Sequence, residues 1–168
     1  NPLKADTDGD GDTDNTDPDP LDLCVWGENQ VIENAEPVWK NADCDNDGVI
    51  NADDPAPLNP DRDGDGDLDG SDTDADDPCS WSENQDPANA EPAWANLDCD
   101  NDGLSNGEEV NNYGTDPRNE DTDGDGYSDP IEIRENSDPT DPNSKPDDCD
   151  GDFDPDSTDP DDDNDGVL

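Results

Sequence analysis

Residues 6–17 read DTDGDGDTDNTD, a stretch in which six of twelve positions are Asp and none is a large apolar residue. Aspartates stand at its first, third and fifth positions, and Gly stands at the sixth. A twelve-residue calcium loop has this spacing, with ligands from positions 1, 3, 5, 7, 9 and 12 and a sharp turn at the glycine. We therefore interpret the stretch as a metal-binding loop, and repeats of such loops as the basis of the fold.

The composition of the chain excludes an ordinary hydrophobic core. Of 168 residues, 24% are hydrophobic, and six Lys and Arg oppose 54 acidic groups, giving a formal net charge of −48. Such a chain cannot bury enough apolar surface to offset the cost of ordering each residue, about 1–2 kcal/mol. The acidic residues are 44 Asp and only 10 Glu, and the short Asp side chain suits tight, oxygen-lined turns. Folding is therefore expected to require divalent cations.

Three classes of function are disfavoured by the same composition. Nucleic acid is not expected as a partner, because phosphate contacts need Lys and Arg. No apolar run approaches the roughly 18 residues that span a bilayer. The chain has no His, no nucleophile beside a base and no core to hold a dry pocket, so we do not expect an enzyme.

A unit of 55 residues occurs twice, at 6–60 and 61–115. Residues 24–48 align without a gap onto residues 79–103 and keep C-x-W-x-E-N-Q, A-E-P-x-W and D-C-D-N-D-G in register. Residues 116–168 carry loops without this insert and end within a loop. Joining the last residue to the first writes DNDGVLN, close to DNDGVIN at 45–51, so residues 1–5 are expected to continue the loop begun at 161. The chain is then one period of a longer array; the alternative is an arbitrary fragment boundary.

Five loops have Gly in register, and two of these match the calcium pattern throughout and close with Glu. The predicted ligands of these two are Asp98, Asp100, Asp102, the Leu104 carbonyl, Asn106 and Glu109, and Asp121, Asp123, Asp125, the Tyr127 carbonyl, Asp129 and Glu132. The other three close with Asp, which predicts tighter or weaker sites. Their candidate ligands are Asp6, Asp8, Asp10, Asp12, Asp14 and Asp17; Asp43, Asp45, Asp47, Val49, Asn51 and Asp54; and Asp61, Asp63, Asp65, Asp67, Asp69 and Asp72.

Two further loops depart from the pattern. The loop at 148–159 has Phe153 where Gly is wanted, which puts its turn geometry in doubt. Its candidate ligands are Asp148, Asp150, Asp152, Asp154, Asp156 and Asp159. The last loop has Asp161, Asp163, Asp165 and Val167, needs residues beyond Leu168, and would meet Lys4 across the junction where a closing carboxylate is expected.

Oxygen ligands without His favour calcium over zinc or copper, and flexible sites favour it over magnesium. We expect about seven or more calcium ions, at least one in each loop. Seven Ca²⁺ add 14 positive charges to −48 and leave −34, so additional bridging ions at Asp12, Asp74 or Asp76 are also expected.

The cysteines and tryptophans mark the inserts of the two 55-residue units. Cys24 and Cys44 are twenty residues apart, as are Cys79 and Cys99, which predicts two local disulfides and an oxidising compartment. Thiolate metal binding is the alternative, but no CxxC pair or His supports it. Cys149 is left over. All four Trp lie in the inserts, either as miniature cores over the disulfides or as a platform for glycan or a protein.

Pro and Gly make up 31 residues and leave room for little regular structure. Short helical turns are predicted at 106–112, before Gly114, and at 130–135, where Pro130 takes a first helical position. All other residues are predicted to be loop.

The tandem DxDxDGxxDxx[DE] loops and the G-T-D-P sequence at 114–117 resemble thrombospondin type 3 repeats, particularly bacterial ones. The inserts resemble repeats in surface proteins of Bacteroidetes-type bacteria. The resemblance implies an irregular, mostly coil fold: an extended, calcium-stabilised tandem-repeat array with a few short helical turns.

The same resemblance implies a rigid stalk, spacer or fibre-forming filament segment, extracellular or at a bacterial cell surface. Flanking copies of the repeat or neighbouring subunits are then the expected partners. The alternative is an adhesin-type binding module that contacts glycan or protein through the Trp pairs or the calcium sites.

Overall fold

The computed structural model describes residues 4–166. The chain forms two compact units, Asn1–Asn89 and Ala90–Leu168. The boundary between them falls inside the second 55-residue repeat, so the compact units divide the chain differently from the sequence repeats. The division into repeats at 6–60 and 61–115 stays a prediction.

Irregular backbone dominates both units, and no strand occurs between residues 4 and 166. In the first unit, a 3-10 turn at Ile32–Asn34 precedes helix α1, Pro37–Lys40. The elements of the second unit are a 3-10 turn at Trp94–Asn96, α2 at Asn106–Glu108, a π-helical turn at Glu109–Tyr113, and α3 at Asp129–Glu135. The predicted mostly coil fold with a few short helical turns is confirmed.

Local capping explains the two helical turns that the sequence predicts. Ser105 and Glu108 form a capping box at the start of α2, with the Ser105 N–H donating to Glu108 Oε2 at 3.1 Å. The π-helical turn that follows is capped at its C-terminal end by Gly114, with φ of +77°. Helix α3 has Pro130 in its first turn and is capped by Asn136, with φ of +65°.

The prediction that all other residues are loop was incomplete, because each insert contains helical turns of its own. Helix α1 begins at Pro37, where the fixed φ of Pro suits a first helical position. The Trp94–Asn96 turn follows the equivalent A-E-P sequence of the second insert. The A-E-P sequence was therefore a helix-start signal. Among the residues that the structure describes, no helix is long and apolar enough to cross a membrane.

Apart from proline, the buried apolar side chains of the described residues are few, and most belong to the inserts. Ala35, Trp39, Trp81, Trp94 and Tyr127 are the buried hydrophobic residues of the described chain. The Trp39 ring meets Trp26 edge-on, with 5.6 Å between ring centroids. With three of four indoles buried, the Trp residues fit the miniature-core interpretation.

Both predicted disulfides are present. Cys24 and Cys44 are bonded, with their Cα atoms 5.4 Å apart, and Cys79 and Cys99 are the other disulfide-bonded cysteines. Cys149 is a free, exposed thiol.

Most of the fully buried side chains are acidic rather than apolar. They include Asp10, Asp12, Asp65, Asp67, Asp129, Glu109 and Glu132. A carboxylate removed from water carries a large free-energy cost unless it is paired. The interior of this protein is therefore built around groups that require a positive partner.

Candidate metal centres

The first Asp of each loop holds the turn together. Both oxygens of Asp6 accept backbone N–H groups, from Gly9 at 2.7 Å and Gly11 at 3.1 Å. Gly11 has φ of +95°, a left-handed conformation that a residue without Cβ adopts freely. The same pair of contacts, from the fourth and sixth residues to the first, recurs at Asp43, Asp61, Asp121 and Asp148.

The loop at 148–159 keeps this geometry although Phe replaces Gly. Phe153 adopts φ of +73° and donates its N–H to Asp148 at 3.1 Å. The left-handed conformation costs an L-residue roughly 1–2 kcal/mol, and the Phe153 ring packs against Tyr127 with centroids 5.5 Å apart. The doubt raised by Phe153 is thus answered for the turn, but Asp152 and Asp154 are exposed and make this loop more open.

The aspartates at positions 1, 3 and 5 converge. In at least four loops, one carboxylate oxygen from each of the three residues lies within 4.8 Å of the other two. These trios are Asp6, Asp8 and Asp10; Asp43, Asp45 and Asp47; Asp61, Asp63 and Asp65; and Asp98, Asp100 and Asp102. Three like charges at this spacing repel each other strongly unless a cation lies among them.

Buried oxygens without hydrogen bonds mark where such a cation fits. At positions 3 and 5, with the exception of Asp45, one oxygen accepts a backbone N–H two residues on, as Asp10 does from Asp12 at 2.7 Å. The Oδ2 atom is then buried with no hydrogen-bond partner in Asp8, Asp10, Asp47, Asp63, Asp65, Asp100, Asp102 and Asp123. These oxygens are hard anionic donors, the kind that calcium prefers.

The closing residue at position 12 also points inward. Glu109 and Glu132 are fully buried, and Glu109 Oε2 and both oxygens of Glu132 have no hydrogen-bond partner. In the Asp-closed loops, Asp54 and Asp72 likewise leave Oδ2 buried without one. Closing Asp and closing Glu therefore both bring an unpaired oxygen to the interior.

Burial of these carboxyl groups without a cation raises their pKa values. Burial, followed by repulsion from Asp100 and Asp102, raises the pKa of Glu109 to about 8. Burial is also the leading cause that raises the pKa of Glu132 and Asp65 to about 7 and that of Asp10 and Asp63 to about 6. Without a cation nearby, burial therefore favours the protonated form of these carboxyls.

The residue at position 9 braces its own loop. Asp14 accepts the N–H and hydroxyl of Thr7 at 2.7 and 2.9 Å, and Asp129 accepts the same two groups of Thr122 at 2.9 and 2.8 Å. Asn51, Asn106 and Asp156 accept the N–H of the Cys at position 2 at 3.1, 3.2 and 2.7 Å respectively. These predicted ligands therefore face the second residue of the loop, and they would contact an ion through water, as position 9 often does.

The residue type at position 7 distinguishes the loops that precede an insert from the other loops. Val49, Leu104 and Tyr127 donate their N–H groups to the position-5 carboxylates of Asp47, Asp102 and Asp125 at 2.6, 2.7 and 3.0 Å. Among the five loops with Gly at position 6, Asp stands at position 7 only in the two that precede an insert, as Asp12 and Asp67.

The side chains of Asp12 and Asp67 anchor the inserts. Asp12 accepts the N–H of Gly27 at 3.0 Å on Oδ2, and on Oδ1 the N–H of Thr13 at 2.8 Å and the hydroxyl of Thr16. The hydrogen bond from Thr16 is the leading cause that lowers the pKa of Asp12. Asp67 accepts the N–H of Ser82 at 2.8 Å in the same way. Both oxygens of Asp12 are thus engaged within the protein.

Each insert also binds the carbonyls of the loop before it. Gln30 Nε2 donates to the Asp10 carbonyl at 3.0 Å, and the N–H groups of Val31 and Glu36 donate to Gly11 and Gly9 at 3.1 and 2.7 Å. In the second insert, Gln85 Nε2 donates to the Asp65 carbonyl at 2.8 Å. Sequence reasoning gave Gln30 and Gln85 no role, although the shared E-N-Q sequence was the available signal.

Lys145 and Arg62 are cationic side chains that lie at the loops. Lys145 Nζ is 2.7 Å from the Asp125 carbonyl and 3.3 Å from Asp125 Oδ2. Arg62 pairs with Asp69 at 3.2 Å and with Asp76 at 2.8 Å. Asp76, expected as a bridging ligand, is thus bound to Arg62, and Asp74 is exposed.

The final loop begins as the others do. Asp161 Oδ2 accepts the Gly166 N–H at 2.9 Å, and the Asp165 N–H contacts Asp163 at 3.3 Å. Asp150 Oδ2 accepts the side-chain amide of Asn164 from this loop, and Asp159 accepts the Asp161 N–H at 2.8 Å. Val167 lies outside the described residues.

Comparison with known proteins identifies part of the chain. The family model described as "Bacterial TSP3 repeat" matches residues 98–119 and 121–142. These segments contain the two loops that close with Glu. No curated protein and no solved structure matches the chain. TSP3 repeats are calcium-binding structural repeats, and the oxygen-only donor sets with their unpaired buried oxygens fit calcium.

Proposed function

We propose that this chain, in which residues 98–119 and 121–142 are two bacterial TSP3 repeats, is a calcium-binding structural region that acts as a rigid extracellular stalk, spacer or fibre-forming segment. One observation carries the proposal. Loop after loop buries carboxylate oxygens that have no hydrogen-bond partner, in a chain whose net charge is −48. Cations complete such an interior, and their removal leaves it unstable.

The loops bind calcium through four carboxylates and one carbonyl each. The carboxylates come from positions 1, 3, 5 and 12, and the carbonyl from position 7. Position 9 acts through water, because its side chain is hydrogen-bonded to the residue at position 2. The first Asp can still coordinate an ion, since each carboxylate oxygen has two lone pairs. One ion in each loop gives about seven ions, counting the loop that begins at Asp161.

A spacer role is supported by the way in which ions and disulfides order the backbone. Its ions and disulfides fix irregular backbone that has little hydrophobic core, so folding and ion binding are one event. Disulfides persist in oxidising surroundings, which supports an extracellular or bacterial cell-surface location. Stacked repeats contact their neighbours, so further copies of the repeat or adjacent subunits are the natural partners.

The adhesin-type alternative has less support at the Trp pairs. Trp39, Trp81 and Trp94 are 0, 6 and 3% exposed, which leaves little ring surface for a glycan. A binding role would therefore have to use the calcium sites or polar surface. We place the structural role first for this reason.

Small-angle X-ray scattering with and without calcium tests the proposal. At about 1 mM calcium, in the range of extracellular modules, we expect a profile that fits one rigid conformation. Chelation should raise the radius of gyration toward that of an unfolded chain of this length, about 43 Å. A flexible-chain profile in calcium would contradict the spacer role, and the same rigid profile in magnesium alone would contradict the ion assignment.

A further inference from the structure

We propose one further divalent-cation site, formed between two successive loops by Asp47, Asp54 and Asp69. It rests on the proposed calcium binding, because Asp47 and Asp54 are also ligands of the loop at 43–54. The third residue comes from the loop at 61–72. An ion here would join two loops, whereas the ions already assigned each belong to one.

The three carboxylates face one another in a buried position. One oxygen of each lies within 4.8 Å of the other two. Asp47 and Asp54 are 5 and 8% exposed, and the side chain of Asp69 is 5% exposed. Each of these groups has lost nearly all of its contact with water, which an anion tolerates only beside a positive charge.

In both Asp47 and Asp54, one carboxylate oxygen accepts a hydrogen bond and the other does not. Asp47 Oδ1 accepts the N–H of Val49 at 2.6 Å, and Asp54 Oδ1 accepts the N–H of Ala56 at 2.7 Å. The Oδ2 atoms of both residues are buried without a hydrogen-bond partner. Each carboxylate oxygen has two lone pairs, so the unpaired Oδ2 atoms of both residues can contact the loop ion and the second ion together.

Asp69 brings the third oxygen from the neighbouring loop. Its Oδ1 accepts the N–H of Arg62 at 2.8 Å, the bracing contact of position 9. In the equivalent residues Asp14 and Asp129, the second oxygen is occupied by the hydroxyl of Thr7 or Thr122. Residue 62 is Arg, which has no such hydroxyl, and Asp69 Oδ2 is buried without a hydrogen-bond partner.

The close approach of the two loops is built into the backbone. A Cβ atom on Gly70 would lie 2.4 Å from the Asp47 carbonyl oxygen, and one on Gly48 would lie 3.9 Å from the Gly70 Cα. A side chain at position 70 would hence force the loops apart. Glycine beside Asp69 allows this Asp to reach Asp47 and Asp54.

Arg62 is the positive charge that competes with a cation here. Its Nη1 lies 3.2 Å from Asp69 Oδ2, while its Nε is held by Asp76 at 2.8 Å. The guanidinium gives no hydrogen bond to the unpaired oxygens of Asp47 and Asp54. A single charge shared with exposed Asp76 leaves the three buried carboxylates under-neutralised, and a hard divalent cation such as Ca²⁺ supplies what is missing.

Asp69→Asn tests the site, with Asp53→Asn as the control. In Asp69→Asn the amide oxygen can still accept the N–H of Arg62, and Asp53 is an exposed neighbour of Asp54 that belongs to no ligand set. Native mass spectrometry of the whole chain in calcium should show one ion fewer for Asp69→Asn and an unchanged count for Asp53→Asn. An unchanged count in both would overturn the inter-loop site and leave the loop ions standing, whereas a wild-type chain without calcium would overturn both.

Arg62→Gln provides a second reading that does not depend on losing a ligand. Removing the competing charge should lower the calcium dissociation constant of one site, measured by isothermal titration calorimetry, by about five- to tenfold. Weaker calcium binding by this variant would mean that Arg62, and not a metal ion, balances the cluster. Tryptophan fluorescence in calcium should match that of the wild type for each variant and so show that it folds.

Discussion

Glu109 is the clearest example of a buried carboxyl group whose negative charge a cation would have to balance. It is fully buried, it closes a loop that already holds Asp100 and Asp102, and its pKa is raised to about 8. Because the folded-state pKa lies above the ordinary 4.5, the protonated form stabilises the calcium-free fold. That contribution is complete at acidic pH and is lost as the pH rises through about 8.

Calcium binding should therefore weaken as the pH falls. For each proton that must leave, affinity is expected to fall by about tenfold per pH unit below the pKa. Isothermal titration calorimetry at about pH 6 and pH 8, in buffers of different ionisation enthalpy, should show protons released on calcium binding. Equal affinity at the two pH values, with no proton release, would contradict the assignment of these carboxyls as ligands.

At the level of the loop and its insert, each element positions the other. The insert donates N–H groups to the carbonyls of Gly9, Asp10 and Gly11, and Asp12 accepts from Gly27 in return. The turn that gathers the carboxylates also presents these carbonyls. An ordered metal loop is thus the surface on which the insert packs.

Comparing Gly11→Ala with Gly103→Ala separates two requirements at position 6, the positive φ of the turn and the space that the insert needs. Both glycines have positive φ, +95° and +103°, which costs an Ala about 1–2 kcal/mol. Only at Gly11 would the new Cβ also meet the insert, 2.6 Å from the Val31 carbonyl oxygen, whereas Gly103 has nothing within 4 Å.

We expect Gly11→Ala to lower the free energy of unfolding in urea by more than Gly103→Ala does, at saturating calcium. The difference should appear most strongly in tryptophan fluorescence, since Trp26 and Trp39 lie in the insert. Equal losses for the two variants would show that the insert does not pack on the loop.

The disulfide of the first insert should stabilise its element strongly. Cys24 and Cys44 are separated by 20 residues, and closing such a loop contributes about 3 kcal/mol in the chain-entropy model. Replacing both with Ser should raise the calcium concentration needed to reach the native tryptophan fluorescence. Cys149→Ser, which removes the exposed free thiol, should leave that concentration unchanged.

What the sequence predicted well is local. The helical turn of Asn106–Glu108 follows from the adjacent capping box, and the convergence of the carboxylates at positions 1, 3 and 5 follows from spacing within twelve residues. The role of these residues as ligands stays a prediction. The role of Asp12 required knowing that Gly27, fifteen residues later, returns to the loop. The meeting of Asp69 with Asp47 likewise depends on how two loops pack, which spacing alone does not encode.

For the whole molecule, the high net charge and the small hydrophobic core both oppose folding in the absence of cations. A chain of −48 with five buried hydrophobic residues besides proline among its described residues has neither the hydrophobic free energy nor the charge balance to fold alone. The buried carboxylates are the counterpart of the core in other proteins. Cations must then supply most of the stability of the native state, through every loop at once.

Hydrogen–deuterium exchange of the intact, oxidised chain, with calcium and after chelation, tests this dependence most directly. In calcium, the N–H groups bound by the first Asp of each loop, such as those of Gly9 and Gly11 on Asp6, should exchange slowly. After chelation this protection should disappear from all loops together and return when calcium is restored. A chelated chain that kept the same slow exchange would contradict the account, because its fold would then stand without the ions.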